Sequence, residues 1–299
     1  MWRAPGEPGE PGTTPYLARR RRIAGTRARV PFPLVSETGE LAKMKAQVYL
    51  DERPKEYFDR FHERARTREP DLMYEAVKSM TLLYQWSFFR ARAISTDKVP
   101  PTGPVILAPN HFSFMDHFFV GGAIRRKVQF MAKSQLFKPP MQFVYTHGGV
   151  FPVRRGHRDD EAMITAHTVL GRGGCMAMYC EGGRSRDGRL ADEAKPGIGK
   201  LALESGAVIV PVAIHGSSKV RNWKKLEFPK VTIQYGDPFR YEREESPTRE
   251  RAQLVANEIF DAIKILYNGL EAHGRRTIVQ RVRAERRAMR RSGKRTAAA

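Results

Sequence analysis

Apolar and polar positions change period several times along this chain. Between residues 74 and 94, Tyr74, Val77, Leu82, Trp86, Phe89 and Ile94 recur at roughly helical spacing among Lys78, Arg90 and Arg92. The spacing predicts an amphipathic helix with aromatic and basic residues, either packed on the core or lying in a lipid interface. Short apolar runs then alternate with helical stretches. Residues 105–108, 128–131, 150–153, 175–180, 208–214 and 231–235 read as strands. Residues 135–145 read as helical in part, interrupted at Pro139-Pro140. One helix opens at Asp159 and Asp160 and ends near Gly171, and a short one over 197–205 stops at Gly206. Residues 247–268 read as a long helix, with Ser246 as N-cap, Pro247 in first position and Gly269 just beyond. The alternation predicts an α/β fold: a mixed, largely parallel sheet flanked by helices, preceded by an N-terminal amphipathic helical segment.

The ends of the chain lack this pattern. Residues 1–40 hold a short Gly-Glu-Pro repeat and the run from Arg19 to Arg22, with few apolar residues to order them. The expected organisation is a mostly disordered basic arm over 1–70, the helical segment over 71–98, one α/β domain over 99–270 and a basic tail over 271–299. In the tail, Ile278, Val282 and Met289 keep helix-compatible spacing inside a dense basic run. A solvated charged tail would look the same.

Charge sharpens this picture. The 299 residues carry a formal net charge of +21, and 41% are hydrophobic, enough for a real core. Residues 271–299 alone hold ten basic and two acidic side chains. Such an excess points to nucleic acid, an anionic membrane face or phosphorylated ligands. The two cysteines, Cys175 and Cys180, fit neither a disulfide framework nor a zinc site, which favours a reducing compartment. No apolar run reaches the ~18 residues of a membrane span. The first 15 residues have no apolar core of the kind a secretory leader carries, so none is expected.

Three places carry candidate chemistry. His111 and Asp116 lie five apart, just after an apolar strand. An imidazole can take a proton at neutral pH, and a carboxylate can fix its tautomer. Ligands of open α/β sheets gather at such strand ends, whereas the pair alone would also suit a helix start. The second is the run from Gly148 to Arg155, a strand ending in two guanidiniums suited to phosphate. The third runs from Glu181 to Gly188 behind a buried strand, combining glycines with Arg184 and Arg186, and Lys195 adds a cation. Its exposed N–H groups can form an anion nest. Other patterns fail. Gly197-Ile198-Gly199-Lys200-Leu201-Ala202 has no strand before it and no acid about 20 residues beyond, so it is no dinucleotide fingerprint. There is no Walker A loop and no Gly-x-Ser-x-Gly elbow. His157, Asp159 and Asp160 lack a second ligand cluster, so no metal is expected.

In order, these blocks resemble the glycerophospholipid acyltransferases of the 1-acyl-glycerol-3-phosphate type. The family's Asn-His-x-Ser-x-x-Asp stands complete from Asn110 to Asp116, and Gly-x-x-Phe-Ile-x-Arg stands from Gly148 to Arg154 with Pro152 for Ile. Phe-Pro-Glu-Gly-Thr-Arg-Ser stands as Tyr179-Cys180-Glu181-Gly182-Gly183-Arg184-Ser185, and a Val-Pro-Val strand end as Val210-Pro211-Val212. A Lys-x-Gly follows at Lys195-Pro196-Gly197. The resemblance spans about residues 80–240 and implies a function. His111 would be the general base for an acceptor hydroxyl attacking an acyl thioester, with Asp116 orienting it. Arg154, Arg184 and Lys195 would hold the acceptor phosphate, Glu181 would organise that site, and Gly182 would admit the backbone. The implied partners are an acyl thioester donor (acyl-CoA or acyl carrier protein), a lysophospholipid such as 1-acyl-glycerol-3-phosphate, and an anionic membrane surface. No cofactor beyond the donor is implied. The expected location is peripheral, on the cytoplasmic face of the cell membrane. Gly183 removes a hydroxyl from the loop and leaves the acceptor open, so another lyso-lipid or a glycolipid is an alternative. A non-catalytic basic membrane or nucleic-acid binder is the other, although no zinc finger, RNP or helix-turn-helix pattern supports nucleic acid.

Overall fold

The computed structural model describes residue 41 and residues 51–155 and 159–296. The expected arm over 1–40 lies outside the described residues. Seven strands form one sheet in the order β1-β7-β6-β2-β5-β3-β4. They are β1 Arg92–Ile94, β2 Val105–Pro109, β3 Val128–Lys133, β4 Val150–Val153, β5 Cys175–Ala177, β6 Val208–His215 and β7 Thr232–Tyr235. Every neighbouring pair is parallel except β6 with β7. The mixed, largely parallel α/β sheet expected from the sequence is therefore present.

Strand alternation divides the interior into two layers. On one face Ile106 and Ala108 of β2, Met176 and Ile209 pack under α5 Asp160–Gly171, α6 Pro196–Ser205 and the first half of α7 Arg249–Thr296. On the other, Val105, Leu107, Val210 and Val212 meet Phe89 of α2 Leu72–Phe89 and Phe119 and Val120 of α3 Asp116–Gly122. Both faces are covered, which is why the central strands read as unbroken apolar runs. Asp159 caps α5 by accepting from Ala162 N, and Asp71 caps α2 by accepting from Met73 N.

Several sequence expectations are revised. The α2 helix stops at Phe89, where Arg90 takes a left-handed conformation, and residues 92–94 leave the expected helical segment to become the edge strand β1. Nor does α2 have a polar outer face: Leu83 is 65% and Trp86 72% exposed. Its Lys78 bends back to donate to Ile124 O. Residues 51–67, expected within the unordered arm, fold. In α1 Asp59–Thr67, Phe61 and Ala65 are buried, and Phe58 beside it packs with Phe137. Arg53 ties this segment down through Ser134 O, Phe137 O and Asp51. The strand at 175–180 is shorter than its apolar run, because residues 178–180 leave the sheet. The tail is not simply solvated: α7 continues through a kink at Gly274, and Ile278 and Val279 are buried against Ile94 and Ala213.

Among the described glycines the closest approach is at Gly199 of α6, where a Cβ would stand 1.9 Å from Ala252 O of α7. Gly199→Ala forces the two helices apart, and such overpacking costs about 1–3 kcal/mol or more. Urea denaturation should show the midpoint lowered with little change in slope.

Candidate active site

The site lies where adjacent parallel strands β2, β5, β3 and β4 end. Asn110 follows β2 and is fully buried; its side chain accepts from Ile214 N at 2.7 Å and donates to Ile214 O at 3.1 Å. That bidentate anchor to β6 fixes the place at which the chain turns into His111. Asp116 then opens α3. Its Oδ2 accepts three bonds: from His111 Nδ1 at 3.0 Å, Phe112 N at 2.6 Å and Ser113 N at 2.7 Å. A carboxylate can only accept here, so Nδ1 carries the proton and Nε2 keeps its lone pair. Asp116 Oδ1 is buried with no hydrogen-bond partner among the described residues.

Aromatic rings hold the imidazole. Tyr179 stacks on His111 at 3.9 Å between centroids, and His117 meets it edge-on at 5.2 Å. Burial lowers the pKa of His111 against the opposing pull of Asp116, which favours the neutral ring. Burial, with His111 nearby, pushes His117 down to about 3.

Beside these rings opens a cavity of about 630 Å³. Its walls are mainly apolar, from α2 (Met73, Val77), α3 (Phe118), β3 (Phe130) and α4 Met141–His147 (Val144). Lys133, Arg155 and Arg184 line it together with His111. These cations follow β3, β4 and β5, and Arg155 and Arg184 help burial to lower the pKa of Lys133. The arrangement offers an apolar slot, an uncharged base and a cationic wall.

The sequence-predicted residues divide. The structure brings His111, Asp116 and Arg184 together. Arg154 does not line the cavity. Its backbone N–H donates to Asp159 and its guanidinium reaches toward Arg53 O, while Arg155 lines the cavity instead. Both arginines lie past the end of β4, and the turn there sends the two side chains to different sides. Lys195 is exposed and its stem lies over Gly182, whose φ is +65° and whose Cβ would stand 3.0 Å from Lys195 Cγ. Neither Lys195 nor Gly182 lines the cavity. Glu181 is a brace: its carboxylate accepts from His111 N at 2.6 Å and from Ala191 N at 3.2 Å. Sequence reasoning named both Arg154 and Arg155 as guanidiniums suited to phosphate and took Arg154 from the resemblance; it missed Lys133, for which a lysine as the last residue of an apolar strand was the available signal.

Known proteins similar to this chain fall in one family. Residues 90–215 match the Acyltransferase family model. The chain is 24% identical over 139 residues to the chloroplastic 1-acyl-sn-glycerol-3-phosphate acyltransferase of Arabidopsis thaliana, covering 45% of this chain and 38% of that protein. It is 27% identical over 168 residues to a probable 1-acyl-sn-glycerol-3-phosphate acyltransferase of Mycoplasma genitalium, covering 53% and 62% respectively. The chain thus spans less than two thirds of either relative's length. In fold it resembles the crystal structure of the 1-acyl-sn-glycerophosphate acyltransferase PlsC of Thermotoga maritima, with a TM-score of 0.51, 21% identity, and 72% and 89% of the two chains covered.

Glu181 generates a pH prediction. Burial, with Asp116 and Asp187 nearby, raises its carboxyl from 4.5 to about 7, against the pull of the two N–H donors. The folded state therefore holds this proton more tightly than the unfolded one, and its contribution to stability is lost as pH rises from about 4.5 through 7. The stability difference between the wild type and Glu181→Gln should consequently shrink or reverse across that window. Denaturation of both proteins at pH 5 and pH 7.5 checks it; a pH-independent difference contradicts the buried, shifted carboxyl.

Proposed function

We propose that this chain, a member of the acyltransferase family to which the 1-acyl-glycerol-3-phosphate acyltransferases belong, is a glycerolipid O-acyltransferase. It moves a fatty acyl group from an acyl thioester, acyl-CoA or acyl carrier protein, to the hydroxyl of a lysophospholipid. The preferred acceptor is 1-acyl-glycerol-3-phosphate, giving phosphatidic acid. The observation that carries this reading is the His111–Asp116 dyad facing an apolar cavity whose wall holds Lys133, Arg155 and Arg184.

Each step follows from that placement. His111 Nε2 removes the proton as the acceptor oxygen attacks the thioester carbonyl. Asp116 holds the imidazole in the required tautomer and balances the imidazolium that forms. When the tetrahedral adduct collapses, the carbon–sulfur bond breaks and the imidazolium returns its proton to the departing thiolate. Apolar walls accept a fatty chain through burial, worth about 0.8 kcal/mol per methylene. The cationic wall neutralises the acceptor phosphate and fixes its hydroxyl near the base.

The same reading includes peripheral attachment to the cytoplasmic face of a membrane, where thioester donors are found. No helix among the described residues is long and apolar enough to cross a bilayer. Leu83, Trp86 and Phe88 of α2 are exposed. Arg275 of α7 donates to Arg90 O at the end of α2 at 2.8 Å, which joins the aromatic face and the arginine-rich helix at one place. Apolar burial and attraction to anionic lipid would act together there.

His111→Ala should lower kcat by about 10²–10⁴-fold without unfolding the protein. Steady-state assays with acyl-CoA and a panel of lysolipids, with products identified by mass spectrometry, test this; near-normal turnover refutes the reading. Arg155→Gln and Arg184→Gln each delete a charge-assisted contact worth about 1.5–3 kcal/mol and should raise the acceptor KM more than the donor KM, whereas Arg154→Gln should leave it unchanged. Flotation with nuclease-treated protein should show more binding to anionic than to neutral vesicles, the excess being weakened by salt. Trp86→Glu should remove the salt-resistant part. No binding to anionic vesicles would overturn the membrane reading.

A further inference from the structure

The strongest unassigned feature is a guanidinium outside every motif. Arg221 sits in the 3-10 stretch Ser217–Lys225 that follows β6. Its Nε donates to Phe112 O at 3.0 Å, its Nη1 to Arg186 O at 2.8 Å and its Nη2 to Ser185 O. One side chain thus serves three backbone carbonyls in two loops, the loop of His111 and the loop of Arg184. A further bond joins the same loops directly, from Ser185 N to His111 O at 2.9 Å. The neighbours Val220 and Asn222 are buried and hold the stretch in place.

We propose that Arg221 is a positioning residue that staples the loop of the base to the loop of the anion site, and so sets the separation of His111 and Arg184. Only arginine presents donors in a planar fork able to reach three acceptors in two segments; a lysine ammonium can match its charge but not its span. All three acceptors are neutral carbonyls, so the guanidinium charge remains available to the field around Arg184. The staple therefore does two separable things. Its fork fixes geometry, and its charge favours a phosphorylated acceptor.

This inference rests on the acyl-transfer reading for its kinetic part only. The full-length protein is compared with Arg221→Lys and Arg221→Gln. Arg221→Lys keeps the charge and loses the fork. It should lower kcat on the order of 10–100-fold, because misplacement by an ångström is that costly, and leave the acceptor KM near the wild-type value. Arg221→Gln should lower kcat as much and also raise the acceptor KM severalfold, with the donor KM unchanged in both. Independently of activity, hydrogen exchange at the Ser185 amide should accelerate in both variants, while amides of the α7 core such as Ile259 keep wild-type protection. An unchanged Ser185 rate, unchanged kcat in Arg221→Lys, or equal loss of protection at Ser185 and Ile259 would overturn the proposal; the last would mean general destabilisation. If the wild type itself transfers no acyl group to any acceptor, the functional reading fails, and the exchange measurements still decide the staple.

Discussion

The site depends on one carboxylate oxygen. Asp116 Oδ2 takes the proton-bearing nitrogen of His111 and the backbone N–H groups of Phe112 and Ser113. Those bonds fold the turn from β2 into α3 and fix the imidazole tautomer in the same act. A fully buried carboxylate is costly to desolvate, and three converging donors offset that cost. Turn and base are consequently inseparable.

Around this carboxylate the parallel sheet does the gathering. Parallel strands end on one side, so residues far apart in sequence arrive at a common edge without any local signal. His111 follows β2, Arg184 follows β5, Lys133 ends β3 and Arg155 follows β4, and these four strands are neighbours. The loops then need cross-links, because neither His111 nor Arg184 lies within the sheet. Glu181 braces His111 N, Ser185 N bonds His111 O, and Arg221 spans both loops.

The periphery follows a different logic. The α2 helix covers one sheet face with Phe89 and Tyr74 yet leaves Leu83 and Trp86 to the outside. Next to it α7 turns at Gly274, buries Ile278 and Val279, and leaves Arg281, Arg283, Arg287 and Arg290 exposed. Two features that look unrelated in sequence, an aromatic helix and a basic tail, meet where Arg275 donates to Arg90 O at the end of α2.

Hydrophobic period and local chemistry determined much of this in advance. Six of the seven strands were legible as apolar runs, because a sheet covered on both faces leaves no polar alternation. His111 and Asp116 were legible because their mutual contact is local, within one turn, whereas the bonds of Asn110 reach across the sheet to Ile214. Tertiary structure decided the rest. Residues 92–94 read as helix until pairing with β7 makes them a strand, and residues 51–67 read as an unordered arm until β4, α5 and Phe137 supply a surface for Phe58, Phe61 and Ala65. Which of two adjacent arginines faces the cavity depends on the turn that follows β4, and motif spacing cannot report it. The roles of Lys133, Lys195 and Arg221 were equally invisible: each is set by which strands are neighbours, and that order arises only when the chain crosses over itself.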